Sequence, residues 1–318
     1  MAAGIEGSTV LVTGGAGFIG SHLCLYLCSL GAKEVRCIDS FEFGSATNLE
    51  PRPRNLSIAS LHIGTASPAE LDQAFAKVDY VFHLAAEKHN SSLDKPQQML
   101  TSNIQGTLNV LNASARAGAK RLVFSSSLYA YGRNVGLPLQ EAERPAPNTV
   151  YGISKLAGEN LAHMLNASGK LETTVLRYFF VYGTKQYANA GYKSVIVKNF
   201  ERILNGLPPV IFGDGCQALD YIFVDDVLRA TVQAMLHPES GLLLNLGSGK
   251  GTSILELTQH MQEISGSTYA PVFEPPDLTH GTSRVADTRS IARHFDWSPR
   301  TSLREGLTTV FEWMKRRQ

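Results

Sequence analysis

Net charge is the first property that this sequence lacks. Its 318 residues include 29 lysines and arginines against 28 aspartates and glutamates, for a formal net charge of +1. A protein that covers nucleic acid with a wide face carries an excess of basic residues, because its ligand is a chain of phosphates. We therefore expect no nucleic-acid partner, although balanced totals do not exclude a local basic patch.

Long apolar runs are also missing. No run approaches the roughly 20 residues that a membrane-spanning helix needs, and no charged and then apolar secretion signal opens the chain. The expectation is a soluble, cytoplasmic protein without a membrane partner. Its hydrophobic content of 43% is nevertheless enough for a substantial core.

Cysteines are few. The four are Cys24, Cys28, Cys37 and Cys216, and the first two stand four apart on a predicted helix, a spacing that suits packing. We interpret all four as buried free thiols in a reducing compartment. No metal site is predicted.

Strand and helix patterns alternate through the first half of the chain. Short apolar runs predict strands at 9–12, 34–38, 56–63, 80–84, 121–126 and 174–178. Helical patterns lie between them, among them 17–30, 68–76, 96–117 and 151–165. This alternation predicts an α/β fold, a doubly wound parallel sheet of the Rossmann type with helices on both faces.

The pattern changes after Tyr182. Shorter elements follow, punctuated by glycine and proline at 206–209, 213–215 and 275–276. We predict a Rossmann domain over 1–182 and a smaller α/β substrate lobe over 183–318, with a strand and a helix exchanged between them around 217–247.

A glycine-rich turn joins the first predicted strand to the first helix. Gly14, Gly17 and Gly20 stand at G-x-x-G-x-x-G spacing in VLVTGGAGFIG. Residues without Cβ let backbone N–H groups approach a pyrophosphate, and the amino end of the helix adds its positive dipole. The context of strand, turn and helix favours a dinucleotide site over an ordinary glycine turn.

An acid at the end of the second strand selects the dinucleotide. Asp39 follows Gly20 by 19 residues, and its carboxylate can accept hydrogen bonds from the adenosine ribose. The same charge repels a 2′-phosphate, and no arginine follows it. NAD is therefore predicted rather than NADP.

Two further stretches are predicted to line the same edge. The fourth strand ends in His83-Leu84-Ala85-Ala86, whose small residues let a flat cofactor lie against the backbone. Asn103 sits on the long helix, where its amide either braces the active site or faces solvent.

A tyrosine and a lysine stand four apart in YGISK, so that Tyr151 and Lys155 share one face of a helix. A neighbouring ammonium favours the phenolate and is predicted to lower the pKa of the tyrosine. Ser127 ends the fifth strand, and ligands of open α/β sheets collect at the carboxyl ends of strands. Ser127 and Tyr151 are thus predicted to meet one substrate hydroxyl, which Tyr151 deprotonates as hydride leaves to NAD.

The chain resembles the extended short-chain dehydrogenase/reductase family, in the group of nucleotide-sugar epimerases and dehydratases. The motifs that carry the resemblance are TGGAGFIG (13–20), HLAA (83–86), NIQGTLNVL (103–111), FSSSLYAYG (124–132), YGISK (151–155), LRYFFVYG (176–183) and GDGCQALDYIFVDD (213–226). The resemblance implies Ser127, Tyr151 and Lys155 as the catalytic triad. It also implies a homodimer packed through the helices 96–117 and 151–165.

The resemblance and the motifs together give the predicted binding residues. The cofactor set is Gly14, Gly17, Phe18, Ile19, Gly20, Asp39, Ser40, Thr65, Ala66, Leu84, Ala85, Ala86, Lys88, Asn103, Ser125, Tyr151, Lys155 and Tyr178. The substrate set is Ser91, Ser127, Tyr129, Phe180, Lys193, Leu219 and Arg284.

No acid follows the catalytic serine. By resemblance, the family's 4,6-dehydratases carry an Asp-Glu pair directly after this hydroxyl, and decarboxylating relatives keep the Glu. Leu128 and Tyr129 occupy those positions, and neither moves a proton in the required way at neutral pH. The prediction is a sugar epimerase that acts at C4 through a transient 4-keto intermediate, with a dehydratase as a minor alternative.

The substrate side departs from the family pattern. Where relatives carry a diphosphate-binding Arg in Q-x-R-D, this chain has Leu219, and it has Phe180 where LRYFN has Asn. Two interpretations stay open. Either other basic groups (Lys185, Lys193, Lys198 and Arg202) replace the missing fork, with partial compensation by Arg284, or the substrate is a nucleoside, a sugar phosphate or a differently held nucleotide sugar. A net dehydrogenase and a non-catalytic NAD-binding module are further alternatives, and the intact triad argues against the module.

Overall fold

A computed structural model describes residues 4–89, 94–132, 137–186, 193–277 and 281–317. Within these ranges the strands are β1 (Thr9–Thr13), β2 (Glu34–Asp39), β3 (Leu56–Ser60), β4 (Tyr80–His83), β5 (Arg121–Ser127), β6 (Glu172–Tyr178), β7 (Phe180–Tyr182), β8 (Val210–Phe212), β9 (Ala218–Leu219), β10 (Tyr221–Phe223), β11 (Leu243–Leu246), β12 (Thr252–Ser253), β13 (Val272–Glu274) and β14 (Ser283–Arg284).

The helices cover the sheet and form much of the second half. They are α1 (Phe18–Ser29), α2 (Pro68–Phe75), α3 (Pro96–Leu100), α4 (Gly106–Arg116), α5 (Val150–Ala167), α6 (Val195–Leu204), α7 (Val224–Leu236), α8 (Ile254–Ser265), α9 (Arg289–Phe295) and α10 (Leu303–Lys315). The predicted helix 96–117 is one helical run, in which a π-helical turn, Thr101–Gln105, joins α3 to α4.

Seven strands form one parallel sheet in the order β11-β6-β5-β4-β1-β2-β3. From β1 the chain moves outward to β2 and β3, then returns to the other side of β1 with β4, β5 and β6. The order therefore reverses between β1 and β4, and in open α/β sheets ligands bind in the crevice at such a switch point. The predicted Rossmann-type α/β fold is confirmed.

Burial explains why the central strands could be predicted from the sequence. Every residue of β1 and of β5 is buried, because strands covered by helices on both faces need apolar side chains on both faces. The structure corrects several strand ends by one or two residues, and β3 ends at Ser60, three residues earlier than predicted.

By contact density the chain forms two compact units. The first contains 1–133, 143–178 and 228–244, and the second contains 134–142, 179–227 and 245–318. In the second unit β9 lies between β12 and β14, β7 pairs with β10, and β8 pairs with β13. The predicted domain boundary at 182 stays a prediction.

Two observations concern features that the described residues lack. Among them no helix is long and apolar enough to cross a membrane, and no cluster of three or more potential ligands for a metal ion is found. All four cysteines are free thiols: Cys24 and Cys37 are buried, Cys28 is half-buried and Cys216 is exposed. The prediction of burial is therefore wrong for Cys216.

Candidate active site

The glycine turn lies against the end of β4 at the switch point. Gly14 has a left-handed backbone, with φ of 69°, a conformation that disfavours side chains. A Cβ on Gly14 would lie 2.7 Å from the backbone nitrogen of Ala85. The turn after β1 and the Leu84-Ala85-Ala86 segment therefore pack backbone against backbone.

The amino end of α1 packs closely on the glycine turn. A Cβ on Gly20 would lie 2.0 Å from the carbonyl oxygen of Gly14, so the helix packs tightly on the turn. Gly17 is the N-cap residue, and no side chain of the described residues caps it. The N–H groups of the first turn of α1, which have no acceptor within the helix, and the helix dipole fit a pyrophosphate, as the NAD prediction requires.

Asp39 ties the turn to the end of β2. One carboxylate oxygen accepts a hydrogen bond from the backbone N–H of Ala16 at 2.9 Å, and the other accepts one from Phe41 N–H at 2.8 Å. The carboxylate is thereby held beside the glycine turn, where its spare lone pairs fit a ribose diol. The acceptor oxygens of Asp39 and the glycine turn together fit NAD.

The other predicted cofactor residues have varied surroundings. Phe18 and Ile19 open α1, Ser40 and Thr65 are exposed, and Ala66 is half-buried. Lys88 Nζ lies 4.8 Å from the centroid of the Phe43 ring. The Tyr178 hydroxyl is hydrogen-bonded to Thr231 Oγ1 at 2.8 Å. The roles of all of these residues in binding stay predictions.

We expect alanine substitutions at two glycines of the turn to fail in different ways. Gly20→Ala should lower the thermal unfolding temperature of the cofactor-free protein, because its Cβ collides with backbone at 2.0 Å. Gly17→Ala, whose Cβ would stand 3.2 Å from the same oxygen, should keep the fold and weaken NAD binding by tenfold or more. Thermal melts measure the first effect, and calorimetric titration with NAD measures the second. An equal fall in unfolding temperature for both variants would contradict the assignment of different roles to Gly17 and Gly20.

The end of β5 and the first turns of α5 bring the predicted triad together. Lys155 Nζ donates a hydrogen bond to the carbonyl oxygen of Ser125 at 2.8 Å. A side-chain hydrogen bond joins Ser127 to Tyr151. Thr149 caps α5 by accepting from Gly152 N–H, which fixes where the helix begins.

The protonation properties differ from the sequence prediction in one respect. Burial raises the pKa of Tyr151 to about 12, and the hydrogen bond from Ser127 only partly opposes it. The predicted net lowering of this pKa is therefore wrong for the site without ligands, where burial has the larger effect, although Lys155 Nζ, which donates to the Ser125 carbonyl, lies 5.7 Å from the centroid of the Tyr151 ring. Burial also lowers the pKa of Lys155 to about 8, against the opposing charge of Glu159.

Aromatic side chains surround the phenol. The ring of Tyr129 lies edge-on to Tyr151, with centroids 5.8 Å apart. His89 stacks on Tyr129 at 4.0 Å and meets Tyr151 edge-on. The sequence analysis missed His89, although its position six residues after His83 in the HLAA segment was a usable signal. Ser91, predicted to contact substrate, lies outside the described residues.

Two buried polar residues brace this end of the sheet. His83 is hydrogen-bonded to Thr13 Oγ1 at 2.7 Å and to Thr107 Oγ1 at 2.9 Å, and burial lowers its pKa to about 3. Asn103, on the π-helical turn, donates to Ser154 Oγ and accepts from Glu87 N–H. Asn103 is 2% exposed, so the solvent-facing alternative is wrong.

Glu87 is a second residue that the sequence analysis missed. It follows the HLAA segment and is buried, and Gln98 Nε2 donates to one of its oxygens at 3.3 Å. Burial, with the nearby charge of Glu42, raises the pKa of Glu87 to about 7. This carboxyl is therefore partly protonated at neutral pH.

The predicted substrate residues of the second unit lie on its short strands. Leu219 is buried in β9 and is in register with Arg284 of β14. Phe180 of β7 is in register with Tyr221 of β10. Lys193 Nζ donates to both carboxylate oxygens of Glu201 at 2.7 and 2.6 Å. Their roles toward substrate stay predictions.

A family model matches residues 10–247, which includes the glycine turn, the HLAA segment, the serine-ended strand and the YGISK helix. The chain belongs to the NAD dependent epimerase/dehydratase family. The family is NAD-dependent, and the predictions of an NAD cofactor and of an enzyme of the extended short-chain dehydrogenase/reductase type are confirmed.

Similar members of the family include epimerases and dehydratases. The UDP-glucose 4-epimerase of Thermotoga maritima, solved with UDP-glucose, is 35% identical with a TM-score of 0.91, and the match covers 97% of this chain and 99% of that one. The UDP-glucose 4-epimerase of Azospirillum brasilense is 32% identical over 327 residues, 96% of this chain and 91% of its own. A dTDP-glucose 4,6-dehydratase of Streptomyces venezuelae with NAD bound is 26% identical, with a TM-score of 0.89 and 97% of each chain covered.

Proposed function

We propose that the protein is an NAD-dependent epimerase that inverts C4 of a nucleotide-linked hexose. The observation that carries the proposal is the meeting of Ser127 and Tyr151 beside Lys155 at the end of β5, followed by a turn that holds no carboxylate. The likeness to UDP-glucose 4-epimerases over at least 96% of the chain supports the same activity.

In this proposal Tyr151 is the base. Its Oη takes the proton of the substrate's hydroxyl, and Ser127 Oγ holds that hydroxyl in place, while the carbon becomes a ketone. Bound NAD supplies the acceptor and donor of hydride, and the positive charge of its nicotinamide favours the phenolate. Once the ketone has presented its other face, Tyr151 returns the proton and the inverted alcohol is formed.

Lys155 supplies the fixed positive charge of the site. With a pKa of about 8 it is mostly an ammonium at neutral pH. Tyr151, with a pKa of about 12, is protonated at that pH before ligands bind. The proposal therefore requires that positive charge in the loaded site offsets the effect of burial on the phenol.

The turn after Ser127 argues against elimination of water. Leu128 is buried and apolar, and Tyr129 is engaged with His89 and Tyr151. A dehydratase needs an acid and a base beside the oxidised carbon. Since this turn offers neither, the dehydratases of the family are the weaker guide to this chain.

Leu219 favours a second candidate, in which an epimerase or dehydrogenase of the same chemistry takes a substrate without an ordinary sugar diphosphate. A phosphate site needs cations or directed N–H donors, and leucine supplies neither. Arg284, in register with Leu219 on β14, is the cation that we propose replaces it. Under the first candidate, Arg284 holds the diphosphate.

We also propose that the protein is a homodimer packed through α3, α4 and α5. Leu100 of α3 is 37% exposed, and Ile153 and Met164 of α5 are 48% and 53% exposed. Large apolar side chains exposed on neighbouring helices favour an interface. Sedimentation of the wild type beside Ile153→Lys tests it, with a monomeric variant expected.

The activity is tested by incubating the NAD-loaded protein with UDP-, TDP-, GDP- and CDP-sugars in D₂O and following the sugars by NMR. An isomer that contains no carbon-bound deuterium is the expected result, because hydride returns without exchange. Deuterium on carbon would mean enolisation, hence dehydration or epimerisation at C3 or C5, and would overturn the mechanism. No turnover of any member would replace the first candidate with the second.

A further inference from the structure

Glu159 is a buried acid that the proposed chemistry does not use. It lies one helical turn beyond Lys155 on α5 and is 2% exposed. Arg177 Nε and Nη2 donate to its two oxygens at 2.8 and 2.7 Å, and Ser126 Oγ donates to the first oxygen as well. Arg177 is itself 1% exposed and lies 4.3 Å from the centroid of the Tyr131 ring.

Strand register brings this pair beside the catalytic lysine. Ser126 of β5 is in register with Arg177 of β6. The residue before Ser126 accepts the hydrogen bond of Lys155, and Ser126 itself binds Glu159. Consecutive residues of β5 therefore hold a cation and an anion from consecutive turns of α5, with Arg177 behind the anion.

We propose that Glu159 and Arg177 are positioning residues that fix the charge of Lys155, and through it the readiness of Tyr151 to accept a proton. The inference rests on the proposed roles of Tyr151 and Lys155. In this proposal Ser126, the middle serine of the FSSS stretch, binds Glu159 of the pair. The serines on either side, Ser125 and Ser127, contact Lys155 and Tyr151.

The charges around Lys155 explain the direction of the effect. Burial lowers the pKa of Lys155, and the carboxylate of Glu159 raises it. The titratable groups that surround this layer are His83 on β4, Tyr129 and Tyr131 after β5, Arg177 on β6, and Tyr151 and His163 on α5. His83 is neutral, and arginine keeps its charge. Without Glu159, Lys155 would face a buried cation with no compensating anion.

The first test is Glu159→Gln, which keeps the shape of the side chain and removes its charge. The pKa of Lys155, measured by ¹³C-lysine NMR on the NAD-loaded protein, should fall by about one unit. The pKa seen in the pH profile of kcat/KM, which belongs to the coupled pair of Tyr151 and Lys155, should fall in the same direction.

The decisive comparison is the double variant Glu159→Gln/Arg177→Met. It removes both charges, so the pKa of Lys155 should return to within a few tenths of a unit of the wild type. If Glu159 and Arg177 had a purely structural role, the double variant should change this pKa more than the single variant does. Arg177→Lys keeps the positive charge and should leave the pKa near wild type. Glu172→Gln is the matched control, since Glu172 opens β6 about 16 Å along the strand from Arg177 and is 57% exposed.

Each result decides one statement. Equal shifts in the single and double variants, or no shift in Glu159→Gln, would overturn the inference. If the NMR pKa values move as expected while the kcat/KM profile stays fixed, the inference about charge holds and the proposed role of Lys155 in the reaction fails.

Discussion

Tyr151→Phe should lower kcat by about 10²- to 10⁴-fold, the range expected when a general base is removed. The substitution keeps the ring, and with it the edge-on contacts to Tyr129 and His89. Only the hydroxyl that meets Ser127 is lost. The protein should still purify with NAD, because the glycine turn and Asp39 lie on other elements. Activity is measured with the sugar that turns over in the D₂O experiment, and bound NAD by release on denaturation.

Tyr129→Phe is the matched comparison for this variant. It removes a hydroxyl from the adjoining ring, whose centroid is 5.8 Å away, and the loss in kcat should be at least about tenfold smaller. A Tyr151→Phe protein that keeps more than a tenth of wild-type activity would refute the assignment of the base. Loss of activity together with loss of NAD would mean instead that the hydroxyl serves the cofactor site.

Asp220→Ala should lower the free energy of unfolding of the second unit by at least about 3 kcal/mol. The Asp220 side chain is fully buried, and it accepts hydrogen bonds from the backbone N–H groups of Ser248, Gly249 and Ala286 at 2.6, 2.9 and 3.0 Å and from Ser248 Oγ at 2.6 Å. Alanine leaves the buried N–H of Ala286 without an acceptor, which costs about 1–3 kcal/mol, and it also removes the charged acceptor of the half-buried Ser248 and the exposed Gly249.

Tryptophan fluorescence during urea unfolding measures this effect selectively. Both tryptophans, Trp297 and Trp313, belong to the second unit, so their signal follows the unit that contains Asp220. The midpoint should fall with little change in slope. Asp220→Asn retains an acceptor oxygen and should lose less than Asp220→Ala. Equal midpoints for wild type and Asp220→Ala would show that water replaces the lost acceptor.

Much of the site could be predicted from local spacing. The interval from Gly14 to Gly20 and the strand before it predict the turn, since only residues without Cβ tolerate the approach of Ala85 seen there. The interval from Tyr151 to Lys155 predicts a shared helix face. Local spacing carries such information because the geometry of one helix or one strand repeats along the chain.

Other features depend on elements that are distant in the sequence. The register of β5 with β6, which sets Ser126 opposite Arg177, joins residues about 50 apart along the chain. The bridge from Asn103 to Ser154 spans 51 positions. Sequence spacing does not report such pairs, and Glu87 and Glu159 were missed for this reason.

By itself, the sequence determined the Rossmann-type α/β fold, the preference for NAD and the identity of the triad candidates, because each follows from residue type and short-range spacing. Only the tertiary structure decided the electrostatics of the site. Burial raises the pKa of Tyr151 to about 12 and lowers that of Lys155 to about 8. Burial is a property of all the elements that pack around a group, and the buried pair of Glu159 and Arg177 beside Lys155 exists only once β5, β6 and α5 have assembled.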